Sequence, residues 1–119
     1  MSDNQESIQQ LTDRDAAWRA ELRKAIATPQ RTVIPRVRMT ELDPAYRITN
    51  SEEVAQGLTA EQALVEASRC LDCPNPTCVT GCPVNINIPS FIKNIQREHF
   101  DDAARVLRDT SALPAVCGR

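Results

Sequence analysis

The sequence predicts an all-α domain: short helices around an irregular cysteine- and proline-rich loop, with an extended connector ahead of them. Three observations point that way. Apolar residues recur at three- and four-residue steps near the start and again in the last third of the chain, the period of a helix face. Helix-start signals, Thr59 with Gln62 and Pro89 ahead of an apolar run, stand before two of these stretches. The one extended stretch has no visible partner strand.

The elements follow in order. Residues 1–6 are polar and expected to fray. From Ser7 to about Thr28, the residues Ile8, Leu11, Trp18, Leu22, Ala25 and Ile26 mark one amphipathic helix. Pro29 is expected to stop it, because a residue before proline avoids the helical region. Residues 29–47 also carry Pro35 and Pro44 and read as the connector, in which Arg31, Arg36 and Arg38 form a basic patch. A solvated face is the favoured reading of that patch, ahead of a docking surface. Asn50-Ser51-Glu52-Glu53 reads as a capping box opening a short helix to Gly57. Thr59-Ala60-Glu61-Gln62 reads as a second, opening AEQALVEASRCL with Leu64, Val65 and Ala67 to Ser68 on its packing side. Gly57 suits a left-handed turn between them. Pro89 fits the first helical position of PSFIKNIQREH, with Phe91, Ile92 and Ile95 inward. In FDDAARVLRD, Asp101 and Asp102 lie at the positive end of a last helix, Arg105 and Arg108 near its negative end. Residues 1–30 thus form a frayed tail and N-terminal helix, and residues 31–119 the domain proper.

Composition excludes several functions. The chain has 119 residues, with 14 basic against 16 acidic side chains, and a nucleic-acid-binding domain normally carries a clear basic excess. The three glycines, Gly57, Gly81 and Gly118, are far apart, so neither a dinucleotide-binding turn nor a phosphate loop can be written from them. No stretch approaches the roughly 18 apolar residues of a membrane span. The acidic, polar start is the reverse of a signal peptide, which predicts a cytoplasmic protein with reduced thiols. Aromatics are confined to Trp18, Tyr46, Phe91 and Phe100, so the core must come mainly from aliphatic side chains.

Between Cys70 and Pro89 the chain holds four cysteines and four prolines, too many for a regular helix or a central strand. Cys70, Cys73, Cys78 and Cys82 spell C-x2-C-x4-C-x3-C-P. Two cysteines flanking two residues can grip one metal centre from a tight turn, and a third returns across a proline-stiffened loop. The closing C-x3-C-P matches the bacterial ferredoxin run, in which the last cysteine serves a second cluster, although the middle spacer there is shorter. Iron-sulfur ligation is therefore favoured. A structural zinc site, and with it a zinc-stabilised interaction module, is the alternative, but zinc modules usually place two ligand pairs well apart. A thioredoxin-type thiol pair lacks its strand and βαβ setting. His99, the single histidine, reads as a surface residue at a helix end, and no catalytic grouping can be composed from it. Cys117 is left open between a buried thiol and a further ligand.

Three runs carry a resemblance: Glu66 to Cys73 (EASRCLDC), Gly81 to Ile92 (GCPVNINIPSFI) and Leu113 to Arg119 (LPAVCGR), with Arg38-Met39, Asp43-Pro44 and Arg47 ahead of them. Together they resemble the N-terminal iron-sulfur domain of the NADPH-dependent glutamate synthase small subunit family, a domain type shared with dihydropyrimidine dehydrogenase and related oxidoreductases. The resemblance covers about residues 31–119 and leaves the first 30 with little to add. It implies a helical domain with two 4Fe-4S clusters, Cys70, Cys73 and Cys78 serving one and Cys82 the other. It also implies FAD- and NADPH-binding domains of the same parent chain and a partner, the glutamate synthase large subunit or its equivalent. Electrons would pass from NADPH through FAD and the clusters to that partner, where glutamate forms. The family continues past Cys-Gly-Arg with more cysteines. By that resemblance the chain is expected to be a domain cut inside its cofactor-binding sequence, without catalytic activity of its own and with little or no stable cluster as isolated. No ligand role for Cys117 follows from it.

Overall fold

The computed structural model describes residues 5–118; the expected fraying of residues 1–4, like the terminal Arg119, lies outside them. Helices α1 (Ile8–Thr12), α2 (Ala17–Ala25) and α3 (Thr28–Thr32) come first, then the short α4 (Pro44–Arg47). They are followed by α5 (Ala60–Ala67), α6 (Thr77–Gly81), α7 (Ile88–Gln96), α8 (Phe100–Thr110) and α9 (Pro114–Cys117). Among the described residues the only strand-like pairing is one antiparallel bridge, Glu41 to Ala55. The fold is all-α, as the sequence predicts. Helix α7 is its hub, packed on α1, α2, α5, α6 and most extensively on α8. No helix among the described residues is long and apolar enough to cross a membrane.

The segment from Ser7 to Thr28 departs from expectation in being two helices, α1 and α2, with a third, α3, starting at its end. Ser7 and Gln10 form a reciprocal capping box at the start of α1. The Asp13 carboxylate then accepts the Asp15 amide at 2.9 Å, a side-chain turn that competes with the helix and ends it. Pro29 does not terminate α2, which stops at Ala25; it stands in the first turn of α3, where a missing N–H leaves no bond unmade. Nor is Glu6 frayed, since its carboxylate pairs with Arg97 at 2.8 Å. Arg97 also lies 3.8 Å from the Trp18 ring centroid, a cation–π contact that seats α2 against the end of α7.

The helix expected from Asn50 to Gly57 does not form. Asn50 Oδ1 accepts the Glu52 amide at 2.9 Å, and the chain then runs extended beside the connector. Leu42 N donates to Val54 O at 2.9 Å and Gln56 N to Thr40 O at 2.8 Å, so the partner missing from the sequence reading is this very stretch. Gly57 takes the left-handed turn with φ of 73°. The second capping box is formed: Thr59 Oγ1 accepts from Gln62 N at 3.2 Å, and Gln62 Oε1 from Thr59 N at 2.9 Å. In α5 the packing side is Ala67, while Val65 faces solvent.

The interior holds fewer apolar than polar residues. Among the described residues Leu11, Ala67, Ile86, Pro89, Ala103 and Val106 are the buried apolar side chains, against Arg19, Arg31, Asp72, Ser90, Lys93, Asn94 and Ser111. Each buried side-chain nitrogen and oxygen among the described residues has a hydrogen-bond partner. Asn94 shows how: its Nδ2 donates to Leu11 O at 3.2 Å and Ser90 O at 2.8 Å, while its Oδ1 accepts from Arg97 Nε at 3.0 Å. A thin apolar core agrees with a radius of gyration of 16.2 Å, above the roughly 13.5 Å of a compact domain this long. Helix α7 reverses the expected orientation. Pro89, Ser90, Lys93 and Asn94 form its buried face, and Phe91, Ile92 and Ile95 are only half-buried.

The connector is tied down by Glu66. Its Oε2 accepts the Val37 amide at 2.9 Å and its Oε1 pairs with Arg69. The Val37 N–H, helped by Arg69, holds this carboxyl below the usual glutamate range. A depressed folded-state value places the tie's stabilisation above the unfolded pKa of about 4.3, to be lost as pH falls through the folded value. Glu66→Ala is expected to cost about 1 kcal/mol, the charge-assisted bond being partly solvated. Limited trypsin digestion checks it: cleavage after Arg36 and Arg38 should accelerate in the variant. Unchanged cleavage would mean that the connector is held elsewhere.

Candidate metal centre

After Ser68 closes α5, the chain turns sharply through Cys70, Leu71, Asp72 and Cys73. The turn needs a left-handed residue, and Asp72 supplies it with φ of 51°. Asp and Asn tolerate that region because their short polar side chains bond locally or, as here, into the protein. Asp72 is buried, and its carboxylate lies in a fork of arginines. Arg19 donates from Nε at 2.9 Å and Nη2 at 2.6 Å, and Arg23 from Nη1 at 2.7 Å. Arg14 holds the Asp72 carbonyl through Nη2 at 3.0 Å. Burial alone would raise the Asp72 pKa, but the bonds from Arg19 and Arg23 overcome it and keep the carboxyl below its ordinary value. Arg19 also reaches Ser90 Oγ at 2.8 Å and Thr12 O at 3.3 Å, joining α1, α7 and the cysteine turn at one guanidinium. The N-terminal helices, from which the sequence promised little, are the brace of the turn.

Two more buried cations lie on this side. Arg31 is not part of a solvated basic patch, as expected from the sequence. It is buried, donating to Leu22 O at 2.5 Å, Ile26 O at 3.0 Å and Ser68 O at 2.6 Å. These carbonyls belong to the ends of α2 and α5, where a cation meets the negative pole of each helix. Lys93 is fully buried, its Nζ donating to Cys70 O at 3.1 Å and to Gln96 Oε1 at 2.8 Å. Burial, reinforced by the like charge of Arg31, lowers its pKa to about 8.

Cys70 and Cys78 line one cavity of about 500 Å³ together with Ile88, Phe91, Ile92 and Ile95 of α7 and with Glu66 and Arg69 at the end of α5. The apolar face of α7 is therefore turned toward sulfur. Cys78 lies in α6, whose single turn interrupts the loop expected from the sequence, and Cys73 and Cys78 are both exposed. Cys82 ends α6. Backbone N–H groups of Ile86, Val84 and Asn85 point at its sulfur and draw its pKa below the usual thiol value. That concavity is closed by Asn85, a second left-handed residue, with φ of 54°. Cys117 lies exposed in α9. His99 is exposed, its Nδ1 3.2 Å from Asp102 Oδ2.

The donor chemistry suits an iron-sulfur cluster: thiols on one loop, an apolar wall, amides aimed at a sulfur, and cations beneath. Cys70, Cys73, Cys78 and Cys82 share that loop, but they are not gathered at one point. Among the described residues no three His, Cys, Asp or Glu side chains stand close enough to clasp a single metal ion. Two groups escaped the sequence reading. Arg19 and Arg23, four apart on one helix face, could have been matched with the lone acid between Cys70 and Cys73. The burial of Lys93 had one cue, a charge inside an otherwise apolar helix pattern.

Comparison with known proteins adds the family. The profile described as dihydropyrimidine dehydrogenase domain II, 4Fe-4S cluster, matches residues 47–119. The chain is 39% identical over 67 residues to the glutamate synthase (NADPH) small chain of Escherichia coli K12, covering 56% of this chain and 14% of that one. It is 40% identical over 68 residues to the NAD-dependent dihydropyrimidine dehydrogenase subunit PreT of Salmonella typhimurium, 57% of this chain and 16% of that one. Over 83 residues it is 34% identical to the glutamate synthase (NADPH) small chain of Azospirillum brasilense, 69% and 17%. The chain thus spans under a fifth of these relatives. With its cysteine loop inside the matched region, the chain belongs to the dihydropyrimidine dehydrogenase domain II, 4Fe-4S cluster family.

Proposed function

We propose that the chain is the electron-relay domain of an NADPH-dependent oxidoreductase of the glutamate synthase type. Cys70, Cys73 and Cys78 hold one 4Fe-4S cluster and Cys82 contributes to a second. The observation that carries this reading is that Cys70 and Cys78 line a single, largely apolar cavity. A bound cluster supplies one-electron chemistry. The residues supply position and insulation: α7 excludes water with Ile88, Phe91, Ile92 and Ile95, and the Asp72 fork fixes the Cys70–Cys73 turn. The amides around Cys82 favour its thiolate, the form that ligates. FAD and NADPH, on this reading, are bound by other domains of the parent chain, and the glutamate synthase large subunit receives the electrons. Near-equal identity to a dihydropyrimidine dehydrogenase subunit supports a second reading, the same relay in that sister enzyme.

The test is anaerobic reconstitution, with ferrous iron and sulfide, of the polypeptide expressed from its complete reading frame. Visible absorbance and, after dithionite, electron paramagnetic resonance are then recorded. Cys70→Ser, Cys73→Ser, Cys78→Ser and Cys82→Ser should each lose about half of the bound iron, one cluster of two. The signal lost with Cys82→Ser should differ from that lost with the other three. A colourless protein, or one loaded with zinc, would overturn the relay. Glutamate formation from glutamine and 2-oxoglutarate, against dihydropyrimidine oxidation with NAD, separates the two parent reactions.

A further inference from the structure

Three fully or nearly fully buried cations, Arg19, Arg31 and Lys93, stand against one buried carboxylate, Asp72, among the described residues. Asp72 is already matched by Arg19 and Arg23. The Arg31 guanidinium is matched by carbonyls at two helix ends. Lys93 hydrogen-bonds only the neutral oxygens of Cys70 and Gln96, and the attraction of Asp72 reaches it without contact, already shared with Arg19 and Arg23. Taking a cation out of water without a counter-charge is among the most expensive things a fold can do. Here Arg31 makes it more so. A buried ammonium held one peptide carbonyl from a candidate ligand is accounted for if an anion comes to rest on that ligand. A cluster bound by thiolates is such an anion.

We propose that Lys93 is a redox-tuning residue: its buried ammonium, seated on the Cys70 carbonyl, raises the reduction potential of the cluster held at Cys70. This rests on the iron-sulfur reading above. Reduction adds one electron to the cluster and makes it more negative by one charge, with no bond formed or broken. A fixed cation nearby favours that reduced state, and charge is one of the levers that set such potentials. Lys93 would not touch the cluster; it acts through the field beneath the Cys70–Cys73 turn. The donor is the flavin in the relay and dithionite in the assay, each oxidised as the cluster is reduced.

The experiment is a dithionite titration of the reconstituted full-length protein, read by electron paramagnetic resonance, for wild type, Lys93→Met, Lys93→Gln and Lys93→Arg. Arg105→Met, which removes a partly exposed charge from α8, serves as the control for net charge. At the wild-type midpoint, the ratio of reduced to oxidised cluster should fall about tenfold in Lys93→Met and Lys93→Gln, equivalent to 59 mV for one electron. Lys93→Arg should stay near wild type, and so should Arg105→Met. If both neutral variants lose the cluster while Lys93→Arg keeps it, the charge serves retention of the cluster and not its potential, and the proposal is overturned. Unchanged potentials in the neutral variants, a shift of the same size in Lys93→Arg or Arg105→Met, or loss of the cluster in all three Lys93 variants would overturn it. Wild-type protein without iron and sulfide would fail the relay reading itself. That outcome is distinguishable because it precedes any comparison of variants.

Discussion

Asp72→Ala is expected to destabilise the fold by about 3–5 kcal/mol, the usual loss when one partner of a buried ion pair is removed. The size follows from what remains. Arg19 is 3% exposed and would keep its charge with only Ser90 Oγ and Thr12 O to receive it. Arg23 is about a quarter exposed and can turn to water, so most of the loss belongs to Arg19. Asp72→Asn keeps the shape and one acceptor but not the charge, and should fall between the variant and wild type. Urea unfolding followed by Trp18 fluorescence and far-ultraviolet circular dichroism measures both. A loss under about 1 kcal/mol would place the fork with ordinary surface pairs and remove it as the brace of the cysteine turn. Native domains hold only about 5–15 kcal/mol in total, so a domain with so few buried apolar side chains among its described residues has little to spare.

What could be read from the sequence divides along physical lines. Helix α8, the Thr59 capping box and the Gly57 turn are decided within a few residues, and the structure shows them where the pattern puts them. The cysteine loop is irregular only in part, since the short helix α6, Thr77–Gly81, forms between its prolines. Periodicity misleads at Asp13, where a side-chain turn breaks a helix that the apolar spacing carries straight through. It misleads again on α7, whose apolar stripe is expected to face inward toward a core. The fold buries the polar face of that helix, with Ser90, Lys93 and Asn94, and leaves Phe91, Ile92 and Ile95 as the wall beside the thiols. At Asn50 a signal correct in form lost to the long-range pairing of residues 54–56 with the connector. Arg31 carried no cue, since charged side chains are almost never fully buried unless their donors are matched. Its matches lie on α2 and α5, far apart in sequence.

Leu11→Ala should cost about 2–5 kcal/mol, the range for truncating a fully buried leucine. Leu11 has no exposed surface and is the largest apolar side chain so enclosed. It anchors α1, which packs on α7 and α8, and its carbonyl receives the Asn94 amide at 3.2 Å. The next residue, Thr12, gives its carbonyl to Arg19, so the apolar anchor of α1 and the Asp72 fork share one short stretch of chain. This shared stretch makes a sharper prediction than either loss alone. If the N-terminal helices hold the cysteine turn as one unit, either substitution releases that unit, and the second then has less left to remove. The double variant Leu11→Ala with Asp72→Ala should therefore lose less than the two single losses added together. The shortfall should exceed about 0.5 kcal/mol, the scatter expected of independent sites. Additive losses in the same urea experiment would show that the turn keeps its geometry without the N-terminal helices. In that case the brace role would pass to α7, through Ser90 and Lys93, which touch the Arg19 fork and the Cys70 carbonyl from the opposite side.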